Sequence, residues 1–219
     1  MDVKTLARLA GVNPQSVVEH KALQGAHLLR IDLRNEPELS SSLAAKATRL
    51  PDGDIFTTEF TLDGASQPFV AESMEKYRNN DFHGEDDLPR WGWRLRAQIP
   101  APNARFGAEI ERISLWMIDE HSGSEHQLGI PIDSLQRPWM SYSLGYRQGN
   151  YLNVAQAVAS AGSLELHHEP DGENSMRLSG TFSGVRFEMP NCHEHLPQAP
   201  DRPFTVLLPV GFYELKGSV

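Results

Sequence analysis

The sequence predicts a mainly β fold, a two-sheet sandwich or an open barrel decorated by short helices, with an α+β arrangement as the alternative. Three observations carry this prediction. Residues 90–100, RWGWRLRAQIP, alternate strictly: Trp91, Trp93, Leu95, Ala97 and Ile99 share one face, and Arg90, Arg94 and Arg96 share the other. That is the period of a half-buried strand. Residues 162–190 read as a β-hairpin. Leu164 and Leu166 are in phase on its first arm, and Pro170-Asp171-Gly172-Glu173-Asn174 supplies the turn. Turn signals also recur between the remaining apolar segments, at Leu62-Asp63-Gly64, Pro100-Ala101-Pro102-Asn103 and His121-Ser122-Gly123-Ser124.

In chain order, residues 3–23 read as two short helices. Leu6, Leu9 and Ala10 form one stripe, Gly11 is a stop, and Asn13 with Pro14 starts the next helix. Residues 26–33 read as a strand and 36–50 as a helix that ends before Pro51-Asp52-Gly53. This triplet divides a mostly helical appendage, residues 1–50, from a β-rich domain, residues 51–219. Strands follow at 54–60 and 67–71, then a short helix at 72–78. Residues 79–89 form an acidic loop whose Asp81, Glu85, Asp86 and Asp87 lack the spacing of a calcium loop. Residues 108–119 form the most apolar strand, with Ile113, Leu115 and Met117 opposite Trp116 and Ile118, which suggests a strand covered on both faces. Residues 126–132 return as a strand that Pro131 places at an edge or ends. Tyr142, Leu144 and Tyr146 are in phase over 138–146, and 150–161 reads as one helix closed by Gly162.

On the return arm of the hairpin Leu178, Gly180 and Phe182 are in phase, and then Val185, Phe187 and Met189 take the opposite parity. A one-residue slip at Ser183-Gly184 is the mark of a β-bulge. The last strand, 205–215, places Val206, Leu208, Val210 and Phe212 on one face, and Pro209 marks it as an edge or a bulge.

Charge and cysteine usage narrow the function classes. A net charge of −9 disfavours general nucleic-acid affinity, which needs clustered Lys and Arg. The single cysteine, Cys192, leaves no intramolecular disulfide and fits a reducing compartment. No apolar run is long enough to span a membrane, and residues 1–30 carry no apolar leader segment. The expected location is therefore the cytoplasm, or the periplasm or exterior if a leader has been removed.

Two segments carry family resemblances. Residues 6–17, LARLAGVNPQSV, resemble the helix-turn-helix of LacI-type repressors. That likeness implies base contacts from Asn13, Gln15 and Ser16. Glu19 and His20 depart from the pattern. Over 55–215, Phe60-Thr61-Leu62-Asp63-Gly64, Gly162-Ser163-Leu164-Glu165-Leu166, Leu178-Ser179-Gly180-Thr181-Phe182-Ser183-Gly184 and Val210-Gly211-Phe212 resemble uncharacterised bacterial β-rich domains, many of them lipoproteins. The resemblance implies a β fold and brings no activity.

Three functional readings follow. No G-x-S-x-G elbow, P-loop or dinucleotide fingerprint is present. The leading reading is a non-catalytic binding module for a protein partner or a small polar ligand, with Arg90, Trp91, Trp93 and Arg94 as its surface: indoles stack on rings and guanidinium groups grip anions. The second is a DNA-contacting regulator acting through residues 6–17. The third is a metal-dependent hydrolase. It requires His167 and His168 on one hairpin arm to meet Cys192, His193 and His195 beyond the other, a donor set suited to zinc. No other cofactor is expected.

Overall fold

The computed structural model describes residues 54–83, 89–129, 138–170 and 175–218. The helical segments expected in residues 1–50, the boundary at 51–53 and the helix-turn-helix likeness at 6–17 lie outside the described residues.

Among the described residues ten strands build the fold: β1 (Ile55–Leu62), β2 (Ala65–Val70), β3 (Ser73–His83), β4 (Pro89–Pro100), β5 (Ile110–Ile118), β6 (Glu125–Gln127), β7 (Trp139–Gln148), β8 (Tyr151–Pro170), β9 (Ser175–Met189) and β10 (Phe204–Ser218). All pairings are antiparallel, in the order β2-β1-β10-β9-β8-β7-β5-β4-β3, with β6 on β8. The mainly β prediction therefore holds. Among the described residues no helix is long and apolar enough to cross a membrane.

The sheet folds back on itself. The first half of β8 pairs with β7, and from Ala159 onward β8 pairs with β9. The two outermost strands, β2 and β3, are consecutive in the chain. Between them the Ala71 amide donates to the Phe56 carbonyl and the Glu72 amide to the Gln98 carbonyl, so two residues carry the chain from one half-sheet to the other. Lys76 reaches across to the buried Asp54 at 2.6 Å. Strands that change sheet at bends and bulges are how facing sheets are joined at corners.

The core fills the space between the halves. One side supplies Phe56, Phe69, Phe182, Phe187, Val206 and Leu215; the other supplies Trp93, Leu95, Ile113, Leu115, Met140 and Leu144. Tyr142 meets Phe60 at 5.5 Å and Phe187 at 6.0 Å between ring centroids.

The predicted slip at Ser183-Gly184 is present. Burial shifts from Leu178, Gly180 and Phe182 to Val185, Phe187 and Met189, and Gly184 has φ +58°. Its neighbours shift with it. The β8–β9 register breaks on both sides of Ala161, and the β1–β10 register breaks between Thr58 and Thr61. In β10, Leu208 pairs with Val185 and Val210 with Ser183, on either side of Pro209. This line of irregularities bends four neighbouring strands together. Pro209 thus sits at the bend of a central strand, not at an edge. The inward face of β10 passes from Val206 and Leu208 to Tyr213 and Leu215, and Val210 is not part of it.

Two expected helices are strands. Of residues 72–78, all but Glu72 lie in β3, paired with β4. Of residues 150–161, all but Asn150 lie in β8, where Ala155, Ala157 and Ala159 face inward. The alanines fit a helix by propensity, but their partners across the ladders are Leu144, Tyr142 and Phe187. Beside such large side chains a small residue is what fits, and tertiary packing overrides propensity.

Candidate functional site

The outer face of β3, β4, β5 and β7 carries the densest polar constellation. Register builds it row by row. Tyr77 is opposite Arg94, Arg94 opposite Trp116, and Trp116 opposite Trp139. In the next row Glu75, Arg96, Ser114 and Ser141 follow one another, and in the third Ser73, Gln98, Arg112 and Ser143. Side chains two apart along a strand share a face, so all twelve residues belong to one surface.

The contacts across it are specific. The Arg94 guanidinium lies 3.9 Å over the Trp116 ring, and Trp116 stacks on Trp139 at 4.5 Å and 20°. Glu75 accepts from Arg96 at 3.0 Å and from Tyr77 at 3.2 Å. Burial pushes the Glu75 carboxyl up, but Gln98, Arg96 and Tyr77 together hold it below its ordinary value. Burial and then the neighbouring arginines lower Arg94 and Arg112, by Arg96 and Arg112 for the first and by Arg96 for the second. Both stay charged at neutral pH, because a guanidinium does not lose its proton in proteins. Their fields work against one another, which is the electrostatic condition of an anion site.

The structure places the sequence-predicted residues differently. Trp93 is 1% exposed in the core, so Trp91 and Trp93 do not form an exposed pair. Strand alternation explains this: the Trp face of β4 is its core face. Trp91, near the strand's end, is exposed and holds Arg78 at 4.7 Å. Arg94 does lie on the polar face, while the Arg90 side chain lies outside the described residues. Sequence reading missed that Arg112, Ser114, Trp139 and Ser141 share the face of Arg94. The available signal was the parity of Arg112, Ser114 and Trp116 in β5, which was read as a second covered face.

The histidine groups are not brought together. His167 pairs with Ser179 and His168 with Leu178 near the start of β9, whereas Cys192, His193 and His195 follow its far end at Met189. The end of β8 at Pro170 and the start of β9 at Ser175 lie beside the first pair, so strand length separates the groups. Each residue has its own partner. His167 meets Glu165 at 3.2 Å, His193 Nδ1 donates to the Ala199 carbonyl at 2.7 Å, and His195 stacks on Tyr146 at 4.6 Å. Cys192 is buried, and burial raises its thiol pKa. Among the described residues no group of three or more His, Cys, Asp or Glu side chains is arranged to hold a metal ion.

A serine, a histidine and an aspartate converge elsewhere, at Ser122, His168 and Asp119. Ser122 Oγ accepts from the His168 backbone amide at 2.7 Å. His168 Nε2 faces Met117 Sδ at 3.0 Å, and its Nδ1 lies 3.8 Å from Asp119. A nucleophile must be bonded to its base, and here the imidazole nitrogens face a thioether and a carboxylate instead. Asp119 is held by Arg78 at 2.9 Å.

No family model matches the chain, and no curated protein or solved structure matches it.

Proposed function

We propose that the protein is a non-catalytic binding module that holds a negatively charged small polar ligand, or a negatively charged patch of a protein partner, on the outer face of β3–β4–β5–β7. The supporting observation is the charge imbalance of that face. Arg94, Arg96 and Arg112 repel one another, and Glu75 is the carboxylate that binds into the trio, through Arg96. An anion relieves the repulsion and satisfies donors that Arg94 and Arg112 hold ready. The overall charge of −9 disfavours long polyanions and favours a compact or locally charged ligand. The placement that goes with this reading is the cytoplasm, where a single thiol remains reduced.

The test is titration of the full chain with citrate and with a short Asp/Glu peptide at fixed ionic strength, followed by tryptophan fluorescence. The expected result is a saturable change that weakens about tenfold or more in Arg94→Gln/Arg112→Gln, the scale of a lost charge-assisted hydrogen bond. A response no different from that to matched sodium chloride overturns the reading.

A further inference from the structure

We infer that Arg94, Arg96 and Arg112, on the polar face of β4 and β5, form a subsite for a tetrahedral dianion, the phosphate or sulfate group of a small ligand. This rests on the anion-binding reading above and narrows it.

Shape comes first. Ser114 lies between Arg112 and Trp116 along β5, opposite Arg96 on one side and Ser141 on the other. Ser141 lies beside Trp139 in the same way. Both serines are buried, at 6% and 3% exposure, so the larger side chains beside them close over them and the guanidinium groups form the outer layer of the face.

Charge comes second. Among the described residues, three guanidinium groups less the carboxylate of Glu75 leave a local charge of +2 on this face. A phosphate monoester or a sulfate ion carries about two negative charges near neutral pH, and a carboxylate carries one. The tetrahedral group also presents enough oxygens to accept from several guanidinium forks at once, whereas a carboxylate is filled by one bidentate arginine.

The donors are also prepared. Arg94 is held over Trp116, and Arg96 is held by Glu75. The Nε groups of Arg94, Arg96 and Arg112 are buried, and none has a hydrogen-bond partner among the described residues. Each guanidinium carries further N–H groups in a planar fork, and an oxyanion accepts from them.

The test is calorimetric titration of the full chain at pH 7.5 and constant ionic strength with inorganic phosphate, sulfate, glucose 6-phosphate, acetate and citrate. The expected result is saturable binding of phosphate and sulfate, with acetate at least about tenfold weaker. Arg112→Gln should weaken phosphate about tenfold or more. Arg112→Lys should recover only part of it, because an ammonium keeps the charge without the fork. Glucose 6-phosphate binding more tightly than inorganic phosphate would assign the site to an ester. Equal or weaker binding would assign it to the free anion. Both outcomes support the subsite. Citrate or acetate binding as tightly as phosphate, or Arg112→Gln leaving phosphate unchanged, overturns the subsite and leaves the broader reading standing. If no anion binds, both fall.

Discussion

Arg94 lies 3.9 Å over the indole of Trp116, and Trp139 stacks on the same indole from the neighbouring strand. Since β5 runs between β4 and β7, the two groups approach Trp116 from opposite sides. Trp116 thus serves as the backing of a cation and as half of an aromatic pair. Replacing it by leucine removes both contacts. Cation–π and stacked pairs each contribute on the order of 1 kcal/mol, so Trp116→Leu is expected to lose about 2 kcal/mol of unfolding free energy in urea. It should also weaken anion binding, because Arg94 is then free to turn away. Unchanged affinity in a folded Trp116→Leu protein would separate the stack from the site.

Gly217 of β10 packs against Trp93 of β4 across the core. A Cβ at residue 217 would lie 2.1 Å from Cη2 of Trp93, and that ring is fully buried. Gly217→Ala therefore has to displace the indole or part the strands. Overpacking of this kind costs about 1–3 kcal/mol, readable as a lower urea midpoint. Gly64→Ala is the contrast: a Cβ there meets nothing within 4 Å, and only the φ of +80° in the Asp63-Gly64 turn opposes it.

Much of this architecture was legible where the apolar period was strong. The alternation of β4, the Asp63-Gly64 turn and the bulge at Ser183-Gly184 were all read correctly from residue order. The last of these was legible because a phase slip changes which parity is apolar. The helix reading of 150–161 failed because alanines spaced by two and leucine–alanine spacing of three and four coexist there. Only the large partners Tyr142 and Phe187 decide between them. The candidate site was half visible. Arg94 was on the page as one of three alternating arginines, but its neighbours come from β5 and β7, and cross-strand register is not written in local sequence. The His/Cys grouping failed for a related reason: proximity to a hairpin arm does not say which end of the arm.

His168 should make stability fall in mild acid. Burial lowers its pKa; Asp119 opposes this, and His167 and Arg78 reinforce it. Met117 and Ser122 complete its surroundings. The folded pKa is thus below the unfolded one, near 6.5. The native state holds a neutral imidazole, so its contribution is fully present above that pH. It is lost as pH falls toward the depressed folded value, with a slope no steeper than about 1.4 kcal/mol per pH unit for one proton. Urea midpoints measured from pH 7.5 to 5 should fall more steeply in the wild type than in His168→Gln. Parallel curves would assign the acid sensitivity to other groups.

Arg105 and Glu111 tie the loop after β4 to the core. Glu111 is fully buried, and Arg105 meets it at 2.7 Å through the guanidinium and 3.1 Å through the backbone amide. The Tyr142 hydroxyl donates to the same carboxylate at 2.9 Å, and burial and that charge raise the tyrosine pKa well above its ordinary value. Arg105 also donates to the Pro68 carbonyl and packs over Phe60. Arg105→Met keeps much of the packing but leaves Glu111 charged and buried without a cation, a loss of about 3–5 kcal/mol. Adding Glu111→Gln removes the stranded charge and leaves an amide oxygen for Tyr142. The double variant should therefore be more stable than Arg105→Met alone, which is the signature of an uncompensated charge and not of lost packing. If the two substitutions simply add, the pair holds the loop by shape, and its charges contribute little.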